Sequence, residues 1–465
     1  MIRKFLHKVF KRKTSAVNTK TQLRIIPPNV HGINRGQISQ CALKVTQGLQ
    51  KAGFSAFIVG GAVRDLLLGL EPKDFDVATN ATPEQARSLL RRSRIIGRRF
   101  RLLHVMCGNE TVEVSTFRGP ISADNTIPGI KNHTDQHGRL LQDNVFGSQE
   151  EDAARRDFTI NALFYDPCSE EIHDYLDGYA DIEAKTLRII GDPTRRYRED
   201  PVRMLRAVRL AAKLDMQIDT STAKPIGDLA PLLLNVPPAR LFDEMLKLLL
   251  SGHALSCVVD LRARGLHHGL LPMLDVILEQ PMGERFITLV LKNTDERIQQ
   301  DKHVSPAFLF ASLLWHEALA TWDIHKTSGE KPVIALHSAI DEVLSKQQKN
   351  LAIPRRFSAA IIEIWAMQPR FESLAGRKPF RLVSHPRFRA AYDFMLLRCE
   401  SGEINAELGL WWKNFVAADH EKREKMIHKS TSSRKRKNRS RRKSAIKPDT
   451  ADSAPATLAN EKAAS

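Results

Sequence analysis

The pattern of apolar residues changes near residue 200, and this change limits the folds that the chain can adopt. Between residues 54 and 190, short apolar runs suited to strands alternate with helical patterns. After Asp200 the pattern is helical, and no convincing strand follows up to residue 420. The sequence therefore predicts an α+β fold, in which a small mixed-sheet head precedes an all-helical neck and body.

The head contains several runs that we predict as strands, at residues 54–59, 101–106, 111–117, 161–165, 171–174 and 187–190. After the first run, Thr82 can cap a helix, Pro83 suits its first turn, and Gln85 can complete a capping box. In the helical part, one helix is predicted to open at Asp200 and run to residue 214, and another to cover residues 239–250.

Charge is concentrated at the two ends of the chain. The 465 residues include 71 Lys and Arg against 53 Asp and Glu, a net charge of +18. Residues 1–20 carry +7 and residues 422–447 carry +12, whereas residues 21–421 carry only +1. Basic segments beside a nearly neutral body suit the binding of a polyanion or of an anionic membrane surface.

These patterns divide the chain into a basic N-terminal arm (1–24), an α/β head (25–190), a helical neck (191–252), a helical body (253–420) and a basic tail (421–465). We expect the tail to be disordered, because large apolar residues are almost absent from residue 430 onward. In the arm, residues 2–10 place apolar residues at helical spacing between lysines. This segment is either a frayed basic arm or a short helix on a membrane surface.

A transmembrane segment is not predicted, because no run approaches the ~18 apolar residues that a membrane span needs. A secretory signal is not predicted either, because the first twenty residues never place more than two apolar residues in succession. The cysteines are scattered along the chain and show no zinc-binding spacing: Cys41, Cys107, Cys168, Cys257 and Cys399. We therefore expect a reduced, intracellular protein of the cytoplasm.

The pattern most informative about chemistry lies in the head. Gly60 and Gly61 follow an apolar run and precede a predicted helix, which lets backbone N–H groups approach a phosphate. Asp74 and Asp76 lie two residues apart on a predicted short strand, so both carboxylates leave the same face. Two carboxylates beside a phosphate cradle are suited to two Mg²⁺ ions, and the combination favours phosphoryl or nucleotidyl transfer.

A third carboxylate is often required at such a site, and the residues leave two candidates. Glu113 lies on the polar face of a predicted strand and could turn toward the metal ions. Asp157 follows Arg155 and Arg156, which could neutralise a triphosphate. The same cluster is equally compatible with ion pairs on the surface.

The helix predicted at Asp200 carries basic residues close together. Arg203 and Arg206 are three residues apart, so they are neighbours on the helix surface. With Glu199 and Asp200 before them, they offer the donors and acceptors that a nucleobase edge and a phosphate require. The alternative is an ordinary charged helix face.

Together these motifs resemble those of the class II nucleotidyltransferases, the superfamily of bacterial poly(A) polymerases and CCA-adding enzymes. The resemblance covers residues 30–420 and rests on residues 60–65 (GGAVRD), 74–76 (DFD), 155–163 (RRDFTINAL), 177–178 (DG) and 199–209 (EDPVRMLRAVR). It implies a nucleotidyltransferase head, a nucleotide-selecting neck and an RNA-binding body.

The resemblance also implies roles for individual residues. Asp74 and Asp76 would be the catalytic, metal-binding pair, and Asp157 would be the third catalytic carboxylate, ahead of Glu113. The residues implied in nucleotide binding contact the phosphates or select the base: Gly60, Gly61, Arg64, Arg156, Asp200, Arg203 and Arg206. Mg²⁺ is the implied cofactor, with Mn²⁺ as an alternative, and ATP is the implied nucleotide.

Further stretches resemble the poly(A) polymerase branch rather than the CCA-adding branch, at residues 95–105, 143–147, 237–242, 353–357 and 384–393. We therefore predict a template-independent polymerase that adds AMP from ATP to RNA 3′ ends by two-metal nucleotidyl transfer. The alternatives are a CCA-adding tRNA nucleotidyltransferase and a non-catalytic RNA-binding scaffold.

RNA binding without sequence selection requires positive charge along the path of the backbone. The candidate contacts lie in the body and in the basic run of the tail: Arg355, Arg356, Arg387, Arg434, Lys435 and Arg436. Aromatic residues between the body arginines are assigned mainly to the core. Other predicted partners are RNA-decay proteins, through the basic tail, and a peripheral membrane surface, through the N-terminal arm.

Overall fold

The structure is a computed structural model that describes residues 22–97, 101–119, 145–268 and 281–427. Its residues form two compact units. The first unit takes its residues from Met1–Glu279, Leu291–Val304 and Leu344–Ile353, and the second from Gln280–Val290, Ser305–Val343 and Pro354–Ser465. Within the described ranges, no helix is long and apolar enough to cross a membrane.

The head is built on a mixed sheet, as predicted. Its strands in chain order are β1 (Arg24–Ile26), β2 (Ala56–Val59), β3 (Asp76–Thr79), β4 (Ser93–Ile96), β5 (Leu102–Cys107), β6 (Glu110–Thr116), β7 (Leu163–Tyr165) and β8 (Ile172–Asp174). Their order across the sheet is β1-β8-β7-β2-β3-β6-β5-β4. Strands β3 and β6 run parallel, whereas the other neighbouring pairs are antiparallel. Strand β3 therefore lies inside the sheet, between β2 and β6.

Most of the predicted strands are present, with two kinds of difference. Strands β1 and β4 were not predicted, because both are short, stand at the two edges of the sheet and alternate weakly in polarity. The last predicted run yields only β9 (Thr186–Leu187), which pairs in parallel with β10 (Gln217–Ile218). The expectation of no strand after Asp200 is therefore wrong, because β10 is too short to show an alternating pattern.

The helices of the head and neck are α1 (Pro28–His31), α2 (Gln40–Lys51), α3 (Gly61–Leu67), α4 (Pro83–Leu89), α5 (Gln149–Arg155), α6 (Gly178–Glu183), α7 (Pro193–Glu199), α8 (Val202–Leu214), α9 (Thr220–Ala223), α10 (Ile226–Leu229), α11 (Pro238–Leu249) and α12 (Ala254–Ala263). Helix α4 begins with the predicted capping box, in which Thr82 Oγ1 accepts from Gln85 N and Gln85 Oε1 accepts from Thr82 N. The helix predicted to open at Asp200 begins at Val202, because Asp200 ends α7 with an extended backbone.

An aromatic cluster holds together β2, β7 and the segment that directly follows β6. The rings of Phe57 on β2 and Phe164 on β7 meet edge to face with centroids 6.2 Å apart, and Phe117 packs on Phe164 at the same distance. All three rings are buried. Because such side chains bury a large apolar area, they fix these strands relative to one another.

The helices that follow are α13 (Pro281–Gln299), α14 (Pro306–Thr327), α15 (Pro332–Asn350), α16 (Arg355–Phe371), α17 (Lys378–Val383), α18 (Phe388–Ser401) and α19 (Ala406–Ala417). Fully buried aromatic side chains fill the second unit: Trp315, Trp365, Phe371, Phe394, Trp412 and Phe415. The assignment of the body aromatics to the core is thus confirmed for Trp365, Phe371 and Phe388, whereas Phe357 and Phe380 are half-buried.

One pair of cysteines departs from the expected reduced state. Cys41 at the start of α2 and Cys107 at the end of β5 form a disulfide, with Cα atoms 5.9 Å apart. The other cysteines remain thiols: Cys168, Cys257 and Cys399. The expectation of fully reduced cysteines is wrong for this pair, since 66 residues of sequence separate two positions that the fold brings together.

Candidate active site

The two predicted metal-binding aspartates lie at the start of β3. Asp76 is the first residue of the strand, whereas Asp74 precedes the strand rather than lying within it. Exposure alternates along this segment, because Asp74 and Asp76 are exposed while Phe75 and Val77 are buried. The two carboxylates therefore leave the same side of the chain, as the two-residue spacing predicted.

A second carboxylate stands directly across from Asp76. In the parallel pair of β3 and β6, Asp76 is in register with Glu113. In the antiparallel pair of β6 and β5, Glu113 is in register with His104. Side chains at paired positions project from the same face of a sheet. Asp76, Glu113 and His104 therefore form one row across three strands.

The electrostatics of Asp76 reflect this row. Although Asp76 has a solvent-accessible surface, the surrounding protein atoms partly desolvate its carboxylate and raise its pKa. The nearby charges of Glu113 and Asp74 raise the pKa further, and Arg156 lowers it, with a net value of about 6. Like charges that oppose one another's ionisation are relieved by a bound cation.

A cluster of guanidinium groups lies beside this row. A cavity of about 310 Å³ is lined by Asp76 and Glu113 together with Arg118, Arg155 and Arg156. Burial and the charges of neighbouring arginines, Arg118 first among them, lower the pKa of Arg155 to about 10. Cations crowded in this way favour the entry of an anion. Arg118 was not predicted as a site residue. Its position two residues after the strand that carries Glu113 could have indicated that it lies near the acidic residues.

The glycine pair opens a second cavity of about 400 Å³, which Asp76, Arg156 and Asp157 also line. Gly60 has a φ of +74°, a backbone conformation that favours glycine. A Cβ atom at Gly60 would come within 3.3 Å of Arg156 Nη1, so this guanidinium lies over the turn. Arg156 also donates from Nη2 to Asp152 at 3.0 Å.

Arg64 differs from Arg156 in how it is held. It is buried, its Nε donates to Asp65 Oδ1 at 2.8 Å, and its Nη1 donates to Asn161 Oδ1 at 2.5 Å. These bonds occupy much of the guanidinium group that was expected to contact a phosphate, although Arg64 does line the cavity.

Asp157 lies in a buried hydrogen-bond network. Its Oδ2 accepts from Arg206 Nε at 2.8 Å and Nη2 at 2.5 Å, and its Oδ1 accepts from Asn161 Nδ2 at 2.9 Å and from the backbone N–H of Phe158 at 2.8 Å. Burial raises the pKa of Asp157, but the Arg206 charge and these hydrogen bonds outweigh it and hold the pKa well below its usual range. The resemblance implies Asp157 ahead of Glu113 as the third carboxylate, and the strand register places Glu113 beside Asp76.

The residues predicted to select the base line a third cavity, of about 350 Å³, in the neck. Asp200 Oδ2 accepts from Arg240 Nη2 at 2.7 Å. Asp200 Oδ1 is buried and, within the part of the chain that the structure describes, has no hydrogen-bond partner. Arg203 donates from Nη1 to the backbone carbonyl of Arg196 at 3.1 Å. Arg240 was missed as a site residue, although it lies in the stretch 237–242 that resembles the poly(A) polymerase branch.

The predicted RNA contacts that the structure describes lie in the second unit. Arg355 and Arg356 are exposed at the start of α16 in the second unit, and the Arg356 guanidinium lies 4.8 Å from the Phe357 ring centre. Arg387 is also exposed, and its Nε donates to Glu363 at 3.0 Å. The remaining candidates lie outside the described residues: Arg434, Lys435 and Arg436.

Comparison with family models identifies three segments. Residues 56–188 match the poly A polymerase head domain, residues 215–278 match the probable RNA and SrmB-binding site of polymerase A, and residues 328–445 match the polymerase A arginine-rich C-terminus. The match to the head domain contains the carboxylate row, the glycine pair and the arginine cluster.

Comparison with solved structures agrees on the fold. The Thermotoga maritima CCA-adding enzyme complexed with tRNA is similar with a TM-score of 0.55 and 17% identity, covering 85% of this chain and 88% of that one. A tRNA-processing enzyme in an apo form is similar with a TM-score of 0.56 and 20% identity, covering 87% and 98%. These likenesses show that the chain shares its fold with CCA-adding and tRNA-processing enzymes.

Curated relatives distinguish between the poly(A) polymerase branch and the CCA-adding branch. Poly(A) polymerase I of Escherichia coli O6:H1 is 48% identical over 422 residues, which cover 88% of this chain and 90% of the relative. Poly(A) polymerase I of Salmonella typhi is 44% identical over 452 residues, covering 94% and 97%. A CCA-adding enzyme of Lactobacillus helveticus is 36% identical, but over 46% of this chain and 50% of the relative. The chain belongs to the poly(A) polymerase I family, which confirms the prediction of a template-independent polyadenylating enzyme.

Proposed function

We propose that this enzyme adds AMP from ATP to RNA 3′ ends, with Asp74, Asp76 and Glu113 as its ligands for Mg²⁺. The observation that carries the proposal is the register of Asp76 with Glu113 beside an arginine-lined cavity. Nucleotidyl transfer requires both features, because it needs carboxylates for divalent cations and cations for a triphosphate.

The donor set fits Mg²⁺. This ion is usually held by one or two carboxylates together with substrate phosphates and water, rather than by a complete protein cage. Among the described residues, no group of three or more His, Cys, Asp or Glu side chains is already arranged to hold a metal ion. Bound Mg²⁺, or Mn²⁺ in its place, would neutralise charge on the phosphates and make the RNA 3′-hydroxyl a better nucleophile.

The triphosphate is assigned to the arginine cluster and the glycine turn. Arg118, Arg155 and Arg156 provide positive charge beside Asp76, and the Gly60–Gly61 turn lines the second cavity, which Arg156 also lines. Arg64 supports this turn through Asn161 and Asp65 rather than by a free guanidinium group. These residues orient the α-phosphate for in-line attack by the 3′-hydroxyl, and pyrophosphate leaves.

The adenine base is assigned to the neck cavity. Asp200 Oδ1, which is buried without a partner among the described residues, can accept the exocyclic amino group of adenine. Arg203 can donate to a ring nitrogen. In this scheme Arg206 has a different task, because its guanidinium group binds Asp157. Protein side chains thus replace the template base in selecting the nucleotide.

We assign RNA binding to basic residues of both units. The match of residues 215–278 to a probable RNA-binding site supports a contact in the neck region. Arg355, Arg356 and Arg387 would hold the RNA backbone, and so would the basic run that includes residues 434–436. We also retain RNA-decay proteins as partners of the tail, a membrane surface as a partner of the N-terminal arm, and the cytoplasm, where ATP and RNA are abundant, as the compartment.

One assay separates this function from its alternatives. The purified full chain is incubated with Mg²⁺, an unrelated RNA and each nucleoside triphosphate in turn. Extension with ATP alone supports the proposal. Incorporation of CMP from CTP, followed by AMP from ATP, would indicate a CCA-adding enzyme. No extension with any nucleotide would indicate a non-catalytic RNA-binding scaffold.

A further inference from the structure

A histidine stands in the row of acidic side chains, and the mechanism described so far does not use it. His104 lies on β5, in register with Glu113 on β6, which is in register with Asp76 on β3. The three side chains therefore succeed one another along one face of the sheet. The order across the sheet leaves Glu113 between the histidine and the aspartate.

The contact between His104 and Glu113 is direct. Glu113 Oε1 accepts from His104 Nε2 at 3.0 Å, so this ring nitrogen carries the proton. Both side chains are partly exposed, at 30% for His104 and 48% for Glu113. The bond uses one oxygen of the carboxylate, and Glu113 Oε2 stays available to a second partner.

Glu113 needs such support because of its position. A long side chain that is half-exposed on a strand samples several rotamers. When the carboxylate binds a cation, the side chain is restricted to one of them, which costs conformational entropy. Carboxylates that bind metal ions are commonly held by a hydrogen bond from a neighbouring group, and that partner contributes to the affinity for the metal. A sheet position directly beside the ligand, such as that of His104, is well placed for this task because the strand backbone fixes it.

We propose that His104 is a positioning residue, which holds Glu113 Oε1 so that Glu113 Oε2 faces the divalent cation shared with Asp76. The inference rests on the proposed role of Glu113 as a metal ligand. His104 itself touches neither the nucleotide nor the metal in this scheme.

The experiment measures Mn²⁺ binding to the full chain, with the free ion followed by its electron paramagnetic resonance signal. His104→Ala is expected to weaken Mn²⁺ affinity about tenfold, as expected when the partner of a metal ligand is removed. His104→Gln is expected to recover much of this loss, because its amide can donate to Glu113 from a similar place. The matched control is Met106→Ala, two residues further along the same face of β5, which should bind Mn²⁺ like the unaltered chain.

A double-mutant cycle tests whether His104 affects Mn²⁺ affinity through Glu113. On a Glu113→Gln background, His104→Ala should cause no further loss of Mn²⁺ affinity. An equal loss on both backgrounds, or full Mn²⁺ affinity in His104→Ala, would overturn the inference. Weaker RNA binding by His104→Ala at full Mn²⁺ affinity would assign the residue to RNA and would also overturn it.

The cycle distinguishes this inference from the proposed function. If Glu113→Gln binds Mn²⁺ and adds AMP like the unaltered chain, the role of Glu113 is wrong and the inference fails with it. If Mn²⁺ binding and AMP addition are both weakened in Glu113→Gln but unchanged in His104→Ala, the inference alone fails. Thermal unfolding of each variant checks that it is folded. If His104→Ala does not fold, the Mn²⁺ affinity of His104→Gln provides the test.

Discussion

Arg206 on α8 donates from both Nε and Nη2 to one oxygen of Asp157, at 2.8 and 2.5 Å. The other oxygen of Asp157 is held by Asn161 and by the backbone N–H of Phe158. This ion pair joins the segment that follows α5 to the helix predicted to select the nucleotide. Asp157 is thus held against the neck helix, whereas Asp76 and Glu113 lie side by side on β3 and β6.

The two candidates for the third carboxylate should respond differently to loss of charge. Asp157→Asn should lower the free energy of unfolding by about 3 kcal/mol, because Arg206 loses the partner of its largely buried charge, yet Mn²⁺ binding should persist. Glu113→Gln, on a more exposed strand position, should change stability by less than about 1 kcal/mol and weaken Mn²⁺ binding strongly, to an affinity that can still be measured because Asp74 and Asp76 remain. Urea unfolding and Mn²⁺ titration of both variants test this assignment. Loss of Mn²⁺ binding in Asp157→Asn at unchanged stability would reverse it.

The raised pKa of Asp76 predicts a pH dependence of stability in the absence of divalent cations. The folded protein retains the Asp76 proton up to about pH 6, whereas an unfolded chain releases it near pH 4. The folded state therefore binds more protons in this window, and stability should fall as the pH rises from 4 to 6. Urea midpoints compared with those of Asp76→Asn isolate the contribution. Mg²⁺ should remove the loss above pH 6, and identical pH profiles for the two proteins would contradict the account.

Arg240 is predicted to fix the base-selecting carboxylate. Arg240→Ala removes the hydrogen bond to Asp200 Oδ2, so the carboxylate is no longer held for the amino group of adenine. We expect kcat/KM for ATP to fall about tenfold, equivalent to ~1.4 kcal/mol of transition-state stabilisation, and the preference for ATP over CTP to narrow. Lys247→Ala is the matched control, because Lys247 lines the same cavity from the same helix without touching Asp200. An unchanged preference in Arg240→Ala would contradict this role.

The basic tail is predicted to bind RNA through its charge. Removal of residues 422–465 deletes the run that carries +12, so fewer counterions are released when RNA binds. RNA affinity at low salt should fall, and the dependence of its logarithm on the logarithm of salt concentration should become shallower. Filter binding over a series of salt concentrations measures both quantities. A tailless chain with the same salt slope as the full chain would exclude the tail as a major contact.

Local patterns predicted the parts of the site that depend on neighbouring residues. The two-residue spacing of Asp74 and Asp76 predicted a shared side, and Thr82 with Gln85 predicted the start of α4. The alternation around Glu113 indicated a strand position with an outward carboxylate. In each case the period of a strand or the geometry of a helix end determines the outcome.

Contacts between distant segments could not be predicted in this way. The place of Glu113 beside Asp76 depends on the parallel pairing of β3 with β6, and no residue near either one specifies that register. Arg240 meets Asp200 across 40 residues, and Cys41 meets Cys107 across 66. The family motif around Asp157 ranks it ahead of Glu113 as the third carboxylate, and this ranking stays a prediction.

In the proposed mechanism, Asp76 helps to hold the divalent cation on which AMP addition depends. The most direct measurement compares Asp76→Asn with the unaltered full chain in extension of a labelled RNA by ATP and Mg²⁺, with RNA affinity measured in parallel. The account predicts that extension is lost while RNA affinity stays within about twofold, since the substitution removes one charge without reshaping the sheet. Robust AMP addition by Asp76→Asn would contradict it.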